Sequence, residues 1–247
     1  MELVFEPNFI WLEKVDSTNS YCMRLAEKGE PEGHVVAAYF QEQGRGQRGN
    51  TWESESGKNL TFSLLLRPTF MQVEEQFAIS KVIALSIYDW LKISGVEACI
   101  KWPNDIYVGD RKIAGILIEN SFSSPILEVS VIGVGLNLNQ TSFSPEIPNP
   151  TSMALLTGGQ YRPEIVLREL MISIQMRYLQ LKFGLGQKVS DDYLSALYRF
   201  QVVSNFSSSG EKFKATIIGV KPTGELILET ETGEQRFYGF KEVSFEL

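Results

Sequence analysis

Histidine and cysteine are nearly absent from this sequence of 247 residues. It contains one histidine, His34, and two cysteines, Cys22 and Cys99, which lie far apart in the chain. A single imidazole excludes the HExxH metalloproteases and most zinc sites, which need several histidine or cysteine ligands. Because the two cysteines form neither a CxxC pair nor a disulfide framework, we expect a protein of the reducing cytoplasm.

Positive charge and long apolar runs are also scarce. The chain has 23 basic and 30 acidic residues, a net charge of −7, which argues against sequence-independent binding of nucleic acid. It lacks a run of about 18 apolar residues, so no membrane span is expected. Residues 1–6 also lack the basic and apolar regions of a secretory signal. The hydrophobic share of 43% excludes a mostly disordered chain.

The spacing of apolar residues divides the chain into two parts near residue 200. Before that point, runs of strand-forming residues are interrupted by long helices predicted over 74–92 and 164–183. Four prolines within 140–163 indicate an irregular connection. Beyond residue 200, short alternating strands joined by tight turns predict a small barrel. We therefore expect a larger domain over 1–200 and the barrel over 201–247.

Residues 44–49, Gly-Arg-Gly-Gln-Arg-Gly, fit the GxGxxG pattern of dinucleotide-binding proteins. That pattern needs a helix to begin inside the motif, whereas the polar residues 50–57 have no amphipathic period. Two other interpretations stay open: a surface loop with incidental glycines, or a mobile loop that carries Arg45 and Arg48 to a ligand. In the second case, glycine frees the backbone to fold over the ligand, and the guanidinium groups bind phosphate or carboxylate.

Residues 101–105, Lys-Trp-Pro-Asn-Asp, place a cation, an aromatic ring and a carboxylate in one turn. This turn is either a salt-bridged corner packed around the tryptophan or part of a phosphate site. In a phosphate site, Lys101 meets a phosphate group, and the oxygen atoms of Asn104 and Asp105 hold a phosphate-bound Mg²⁺.

Glycines interrupt two apolar strands that follow this turn. Lys112 opens the first strand and Gly115 lies within it, whereas Gly133 and Gly135 lie within the second. Glycine weakens a strand unless another group must approach the backbone closely. These glycines therefore predict walls that line a ligand, with a bulge at a sheet corner as the alternative for the second strand.

Together these segments offer four cations, a carboxylate and glycine walls, but neither a nucleophile–histidine–acid triad nor a metal cage. Such a set suits chemistry in which the ligands supply the nucleophile, while the protein positions and neutralises phosphate groups. Adenylation of a carboxylate by ATP is a reaction of this kind.

Five motifs occur in the order in which biotin–protein ligases carry them. They are DSTN (16–19), GRGQRGNTW (44–52), KWPND (101–105), RKIAGIL (111–117) and GVGLN (133–137). The chain therefore resembles this family, the biotin–[acetyl-CoA-carboxylase] ligases, in the monofunctional form that lacks an N-terminal DNA-binding domain. The resemblance implies an α+β fold, in which helices flank a mixed β-sheet like that of class II aminoacyl-tRNA synthetases and a small C-terminal SH3-like β-barrel follows.

The same resemblance implies a two-step reaction. Biotin and MgATP first form biotinyl-5′-AMP and pyrophosphate, and a lysine of a biotin carboxyl carrier protein then displaces AMP. Biotin is thus a substrate and ATP with Mg²⁺ a co-substrate, and no prosthetic group is held tightly. The expected partner is the carrier protein or carrier domain of a biotin-dependent carboxylase. The expected assembly is a monomer or weak homodimer that binds neither nucleic acid nor membrane.

Carried over to this sequence, the resemblance implies a biotin pocket beside a nucleotide site. The implied biotin-binding residues are Ser17, Thr18, Asn19, Gln41, Gly44, Arg45, Gly46, Gln47, Lys112, Gly115, Gly133 and Gly135. The implied ATP-binding residues are Arg48, Trp52, Lys101, Asn104, Asp105 and Asn137, of which Asn104 and Asp105 would hold Mg²⁺ through the phosphates. The implied catalytic residues are Arg45, Lys112 and Asp105.

Three other functions stay open. A lipoate–protein ligase would share the fold and the acyl-adenylate chemistry. Its apolar dithiolane ring, however, does not need the hydrogen-bonding groups of Ser17, Thr18 and Asn19. These residues can instead cap the following helix. A non-catalytic ligand-binding or scaffold protein would not need the cations and the carboxylate together. A nicotinamide-dependent oxidoreductase would use the GxGxxG segment.

Overall fold

A seven-stranded mixed sheet is the centre of the computed structural model, which describes residues 4–246 apart from the side chain of Arg48. Its strands are β1 (Asn8–Val15), β2 (His34–Gln41), β3 (Leu60–Leu66), β4 (Cys99–Lys101), β5 (Asp105–Val108), β6 (Arg111–Ser123) and β7 (Ile126–Leu136). Their order is β1-β2-β3-β7-β6-β5-β4, with β1 parallel to β2 and all other neighbouring pairs antiparallel. The predicted mixed sheet is confirmed.

Helices cover both faces of this sheet, because successive residues of a strand point to opposite sides. They are α1 (Thr18–Glu27), α2 (Phe77–Ile93), α3 (Met153–Thr157), α4 (Pro163–Lys182) and α5 (Gly186–Ser195). Leu65 of β3 packs with Cys22 of α1 in one core, whereas Leu64 and Leu66 belong to the core that contains α2 and α4. The two long helices predicted from apolar spacing are thus confirmed as α2 and α4. None of the helices within residues 4–246 is long and apolar enough to cross a membrane.

Residues 203–245 form a second, antiparallel sheet. Its strands are β8 (Val203–Ser208), β9 (Glu211–Val220), β10 (Leu226–Thr230), β11 (Gln235–Tyr238) and β12 (Ser244–Phe245). The order β11-β10-β9-β8-β12 leaves two short strands at the edges, and no ladder joins them within the described residues. The sheet is compatible with the predicted small SH3-like domain, and the pairings of the described residues do not show it as a closed barrel. The boundary near residue 200 stays a prediction.

The turn between β9 and β10 attaches the second sheet to the turn that follows β4. Trp102 is 3% exposed, and its indole Nε1 donates to the carbonyl oxygen of Gly224 at 2.9 Å. The backbone N–H of Phe77, at the start of α2, donates to Pro222 O at 3.3 Å. The Phe240 ring packs on both aromatic rings, with centroid distances of 5.6 Å to Trp102 and 6.1 Å to Phe77. The second sheet therefore supports the 101–105 turn from behind.

One lysine lies inside the core between α2 and α5. Lys81 is 5% exposed, and its Nζ donates to Ser190 Oγ at 3.0 Å. The ammonium group lies 6.0 Å from the ring centroid of Phe77 and 5.8 Å from that of Tyr193. Burial lowers the pKa of Lys81, because removal from water penalises the charged form.

We expect Lys81→Met to stabilise the protein at pH 7 by about 1 kcal/mol, since an apolar side chain removes the cost of burying the charge. The lowered pKa means that the unfolded chain binds this proton more tightly than the folded chain does. The cost is therefore full at neutral pH and is relieved as pH rises towards about 10.4, the ordinary lysine value. Thermal unfolding should show a Tm gain of about 2–4 °C at pH 7 that shrinks at pH 10. The exposed Lys92→Met on the same helix is the control; an equal gain there, or a loss for Lys81→Met, would contradict this account.

Candidate active site

A cavity of about 660 Å³ opens over the central sheet. It brings together fifteen of the residues that the sequence predicts for the site: Ser17, Thr18, Asn19, Gln41, Arg45, Gly46, Gln47, Trp52, Asn104, Asp105, Lys112, Gly115, Gly133, Gly135 and Asn137. Gly44 and Lys101 are not among the lining residues. The side chain of Arg48 lies outside the described part of the chain. Residues that are distant in sequence thus meet around one enclosed volume.

The register of the sheet makes the floor of this cavity. Gly115 of β6 pairs with Gly135 of β7. Gly133, two residues before Gly135 on β7, pairs with Ser63 of β3. Paired residues, and residues two apart on one strand, point to the same face of a sheet. Leu65, two residues after Ser63, packs against α1, so the floor lies on the face that α1 covers.

Glycine is required at two floor positions because other site residues occupy the space above them. A Cβ atom at Gly133 would collide with the amide of Asn19, and one at Gly135 would collide with the indole of Trp52. At Gly115 the same indole would lie 3.1 Å from an added Cβ. The sequence predicts that a ligand approaches the backbone at these glycines. In this structure, the side chains of Asn19 and Trp52 make that close approach.

The first turn of α1 carries a polar cluster into the cavity. Ser17 is the N-cap residue, but its side chain makes no capping hydrogen bond. The Gln41 side chain replaces it: its Oε1 accepts from the Thr18 backbone N–H at 2.8 Å and from the Thr18 hydroxyl at 3.1 Å. The side chain of Gln41, at the end of β2, therefore caps α1, and the Ser17 side chain does not.

Two residues that sequence reasoning missed complete this cluster. Ser63 is fully buried; its Oγ donates its one proton to Asn19 Oδ1 at 2.5 Å and lies 2.8 Å from Thr18 Oγ1. Glu119 Oε2 accepts from Asn19 Nδ2 at 2.8 Å and from Arg45 Nη2 at 2.7 Å. A serine inside the apolar run 60–66 was the available signal for the first, since a polar residue in a buried strand needs a partner. Glu119 has no local signal.

Two cations face the cavity, and each is paired with a carboxylate. Arg45 belongs to the glycine loop and pairs with Glu119, while Lys112 Nζ lies 2.6 Å from Asp105 Oδ1. The β5–β6 hairpin brings this second pair together, because Asp105 ends opposite Gly115 in the ladder. An anionic ligand must therefore displace these carboxylates from the cations or share the cations with them.

Three buried polar atoms on the cavity wall have no hydrogen-bond partner among the described residues: Trp52 Nε1, Asp105 Oδ1 and Asn137 Oδ1. Asp105 Oδ1 is nevertheless held by its ion pair with Lys112, at 2.6 Å. Asn137 uses only its Nδ2, which donates to Thr151 O at 2.9 Å. Buried polar groups are rarely left unsatisfied, so Trp52 Nε1 and Asn137 Oδ1 are candidate contacts for a polar ligand.

Lys101 approaches the cavity only through another residue. Its Nζ donates to the hydroxyl of Tyr107 at 3.2 Å and lies 5.3 Å from the Phe245 ring centroid. Burial lowers the pKa of Lys101 and raises that of Tyr107 to about 12. Tyr107 itself lines the cavity, so the predicted phosphate contact of Lys101 would require this tyrosine to move.

The remaining wall comes from the proline-rich connection. Phe143, Glu146, Ile147, Pro148 and Pro150 line the cavity, although no sequence pattern marks them as site residues. The connection is tied to β6 through Lys112, whose N–H donates to Asn149 O at 2.7 Å and whose carbonyl accepts from Thr151 N–H at 2.9 Å. The segment is thus placed by pairing that is distant in sequence.

Known proteins are similar to this chain in sequence and in fold. The model of the biotin/lipoate A/B protein ligase family matches residues 11–137, about half of the chain. The biotin–[acetyl-CoA-carboxylase] ligase of Paracoccus denitrificans is 30% identical over 231 residues, which cover 91% of this chain and 95% of that protein. The bifunctional ligase/repressor BirA of Bacillus subtilis is 27% identical over 241 residues, or 95% of this chain and 73% of that protein.

A solved structure extends the likeness to three dimensions. The biotin protein ligase from Aquifex aeolicus, in complex with biotin and ATP, superposes with a TM-score of 0.80 at 27% identity, covering 97% of this chain and 98% of that one. The reach of the family model and the identity to the Paracoccus protein together show that this chain belongs to the biotin/lipoate A/B protein ligase family.

Proposed function

We propose that this protein is a biotin–protein ligase. It adenylates biotin with ATP and transfers the biotinyl group to a lysine of a biotin carboxyl carrier protein. The observation that carries this proposal is one cavity with a hydroxyl–amide cluster at one end and two carboxylate-paired cations beside it. The Paracoccus ligase and the Aquifex structure with biotin and ATP support it.

The polar cluster favours biotin over lipoate. The ureido ring of biotin has N–H donors and a carbonyl acceptor, which match the hydroxyls of Ser17 and Thr18 and the amides of Asn19 and Gln41. A dithiolane ring offers sulfur atoms, which are weak acceptors, and no donor. It would leave buried polar groups without partners, a strong basis for discrimination.

The paired cations suit the first step. The biotin carboxylate is ionised at pH 7, so one of its oxygens attacks the α-phosphorus of ATP without a general base. The bond from that phosphorus to pyrophosphate breaks, and biotinyl-5′-AMP forms. Charge repulsion between the two anions is the obstacle. Lys112 relieves it when it leaves Asp105 and turns to the reacting oxygens, and Arg45 relieves it with the N–H groups that do not bind Glu119.

The nucleotide would occupy the end of the cavity near β5 and β7. There, the unpartnered Oδ1 of Asn137 accepts from the adenine amine, and the Trp52 indole packs beside the base. Asn104 and Asp105 offer the hard oxygen atoms that Mg²⁺ prefers. Because no cluster of three acidic, histidine or cysteine side chains that could hold a metal occurs within residues 4–246, phosphate and water would complete the magnesium shell. Bound Mg²⁺ would neutralise phosphate charge. Arg48 and Lys101 complete the proposed phosphate contacts.

In the second step, a neutral lysine amine of the carrier attacks the carbonyl carbon of the mixed anhydride, and AMP leaves. Asp105, which lines the cavity, would orient the incoming amine. We assign adenylation to a domain over 1–200 and leave the second sheet, within 201–247, as its appendage. The remaining proposals are a cytoplasmic location, a monomer or weak homodimer, and no binding of nucleic acid.

The substrate is tested by ATP–pyrophosphate exchange with Mg²⁺ and either biotin, lipoate or no acid. We expect exchange with biotin alone, because only biotin satisfies the polar cluster. Exchange with lipoate alone would keep the adenylation chemistry and overturn the pocket assignment. If neither acid supports exchange, mass spectrometry of the protein after incubation with biotin and ATP checks for a retained adenylate, and its absence would refute the proposed activity.

Lys112→Ala should slow formation of biotinyl-AMP by about two to three orders of magnitude, because one preorganised cation is lost at the reacting oxygens. Single-turnover formation of the adenylate measures this step without a carrier protein. Lys28→Ala, at an exposed position beyond the end of α1, is the matched control and should leave the rate unchanged. An unchanged rate in Lys112→Ala would remove this lysine from the mechanism.

Gly133→Ala should raise the KM for biotin about tenfold or more, because the added methyl group displaces the Asn19 amide from the ureido site. The matched control is Gly186→Ala, where the nearest atom to an added Cβ is Leu181 Cδ2 at 3.8 Å. Both variants should remain folded by circular dichroism. A normal KM for biotin in Gly133→Ala would show that Asn19 does not contact the substrate.

A further inference from the structure

Glu119 lies beside the cavity without being part of its wall. It is the ninth residue of β6, and its side chain is 31% exposed. A single carboxylate oxygen, Oε2, accepts both from the amide of Asn19 and from the guanidinium of Arg45. It therefore joins a residue of the proposed ureido site to a residue of the glycine loop.

The contact to Asn19 determines which way its amide points. Asn19 Nδ2 is directed to Glu119 and to the carbonyl of Leu117, at 2.8 and 3.3 Å, while Oδ1 accepts from Ser63. A reversed amide would put its oxygen against a carboxylate and a carbonyl. The negative charge of Glu119 thus keeps one orientation of Asn19 above Gly133.

The contact to Arg45 holds the glycine loop at the cavity. The loop forms a narrow hairpin, in which Arg45 pairs with Thr51 and the Trp52 N–H donates to Gly44 O at 2.9 Å. Arg45 uses Nη2 to reach Glu119. A guanidinium has five N–H donors, so Arg45 can keep this bond and still meet a ligand carboxylate.

Asp105 and Glu119 differ in whether they must release their cation when a ligand enters the cavity. Asp105 lines the cavity and must give up Lys112 to the ligand, whereas Glu119 is outside the lining and can keep Arg45 while a ligand enters. The negative charge of Glu119 strengthens both hydrogen bonds to this oxygen. Glutamine at 119 would present a weaker acceptor to the guanidinium, or an NH₂ group that repels it.

We propose that Glu119 is a positioning residue, which couples the glycine loop to the ureido site by holding Arg45 and Asn19 on one oxygen. This inference rests on the proposed use of the cavity for biotin. Filling the ureido site fixes Asn19, Asn19 fixes Glu119, and Glu119 then presents Arg45 to the biotin carboxylate.

The test is a double-mutant cycle on biotin affinity, measured by calorimetry without ATP. The variants are Glu119→Gln, Arg45→Ala and the double substitution. Glu119→Gln should weaken biotin binding about tenfold in the wild-type background. In the Arg45→Ala background it should weaken binding only about threefold or less, because the guanidinium that Glu119 holds is gone.

The matched control is Glu128→Gln, the same chemical change at an exposed residue of the neighbouring strand β7, which should bind biotin as the wild type does. Should Glu119→Gln fail to fold, Glu119→Ala takes its place in the same cycle. Equal losses in the two backgrounds, or no loss in either, would overturn the proposal, because a merely structural glutamate would act independently of Arg45.

The binding cycle and the exchange assay separate the two proposals. Biotin-dependent pyrophosphate exchange with an additive cycle would refute the coupling by Glu119 alone. A coupled cycle without any adenylate formed would refute the ligase activity and leave the positioning role intact. Absence of biotin binding in the wild type would refute both.

Discussion

The pairing of β6 with β7 is the constraint on which the site depends. It sets Gly115 opposite Gly135 and leaves Gly133 next along β7, so that one face of a continuous sheet has no side chains over a short stretch. A sheet floor of this kind admits groups that no ordinary strand could accommodate. Asn19 reaches it from α1 and Trp52 from the glycine loop, and both lie directly against the backbone. A shift of one residue in this register would turn the glycines to the opposite face and fill the floor with side chains.

Electrostatics is the second organising feature. The cavity contains cations whose purpose is to meet anions, and a protein must hold such cations in place before the anions arrive. Here each cation has a carboxylate partner, and the two partners are placed differently relative to the cavity. The Asp105–Lys112 pair is set by a tight hairpin and is local in sequence. The Arg45–Glu119 pair joins segments 74 residues apart and depends on the whole sheet.

Local patterns in the sequence predict the two long helices and several of the segments that line the cavity, and the family resemblance adds the polar residues of α1 and β2. Apolar spacing predicts α2 and α4, and glycines and charges that are close in sequence mark the loop, the 101–105 turn and the strands. What sequence could not supply is the set of contacts made across the fold. Glu119 looks like any polar residue near a strand end, and the connection that contains Pro148 looks like an unstructured link. Lys101 belongs to a marked motif, but the side to which it points depends on Tyr107 and on the second sheet.

The neutralised cations also affect how ligands arrive. A cavity with bare guanidinium and ammonium groups would attract anions over about a Debye length, some 8–10 Å in physiological salt. Arg45 and Lys112 are each paired with a carboxylate, and the chain as a whole carries a charge of −7. Anionic substrates therefore gain little long-range steering from these two cations. Encounter is then governed by diffusion and by access past the glycine loop, and attraction begins only after the ligand has entered.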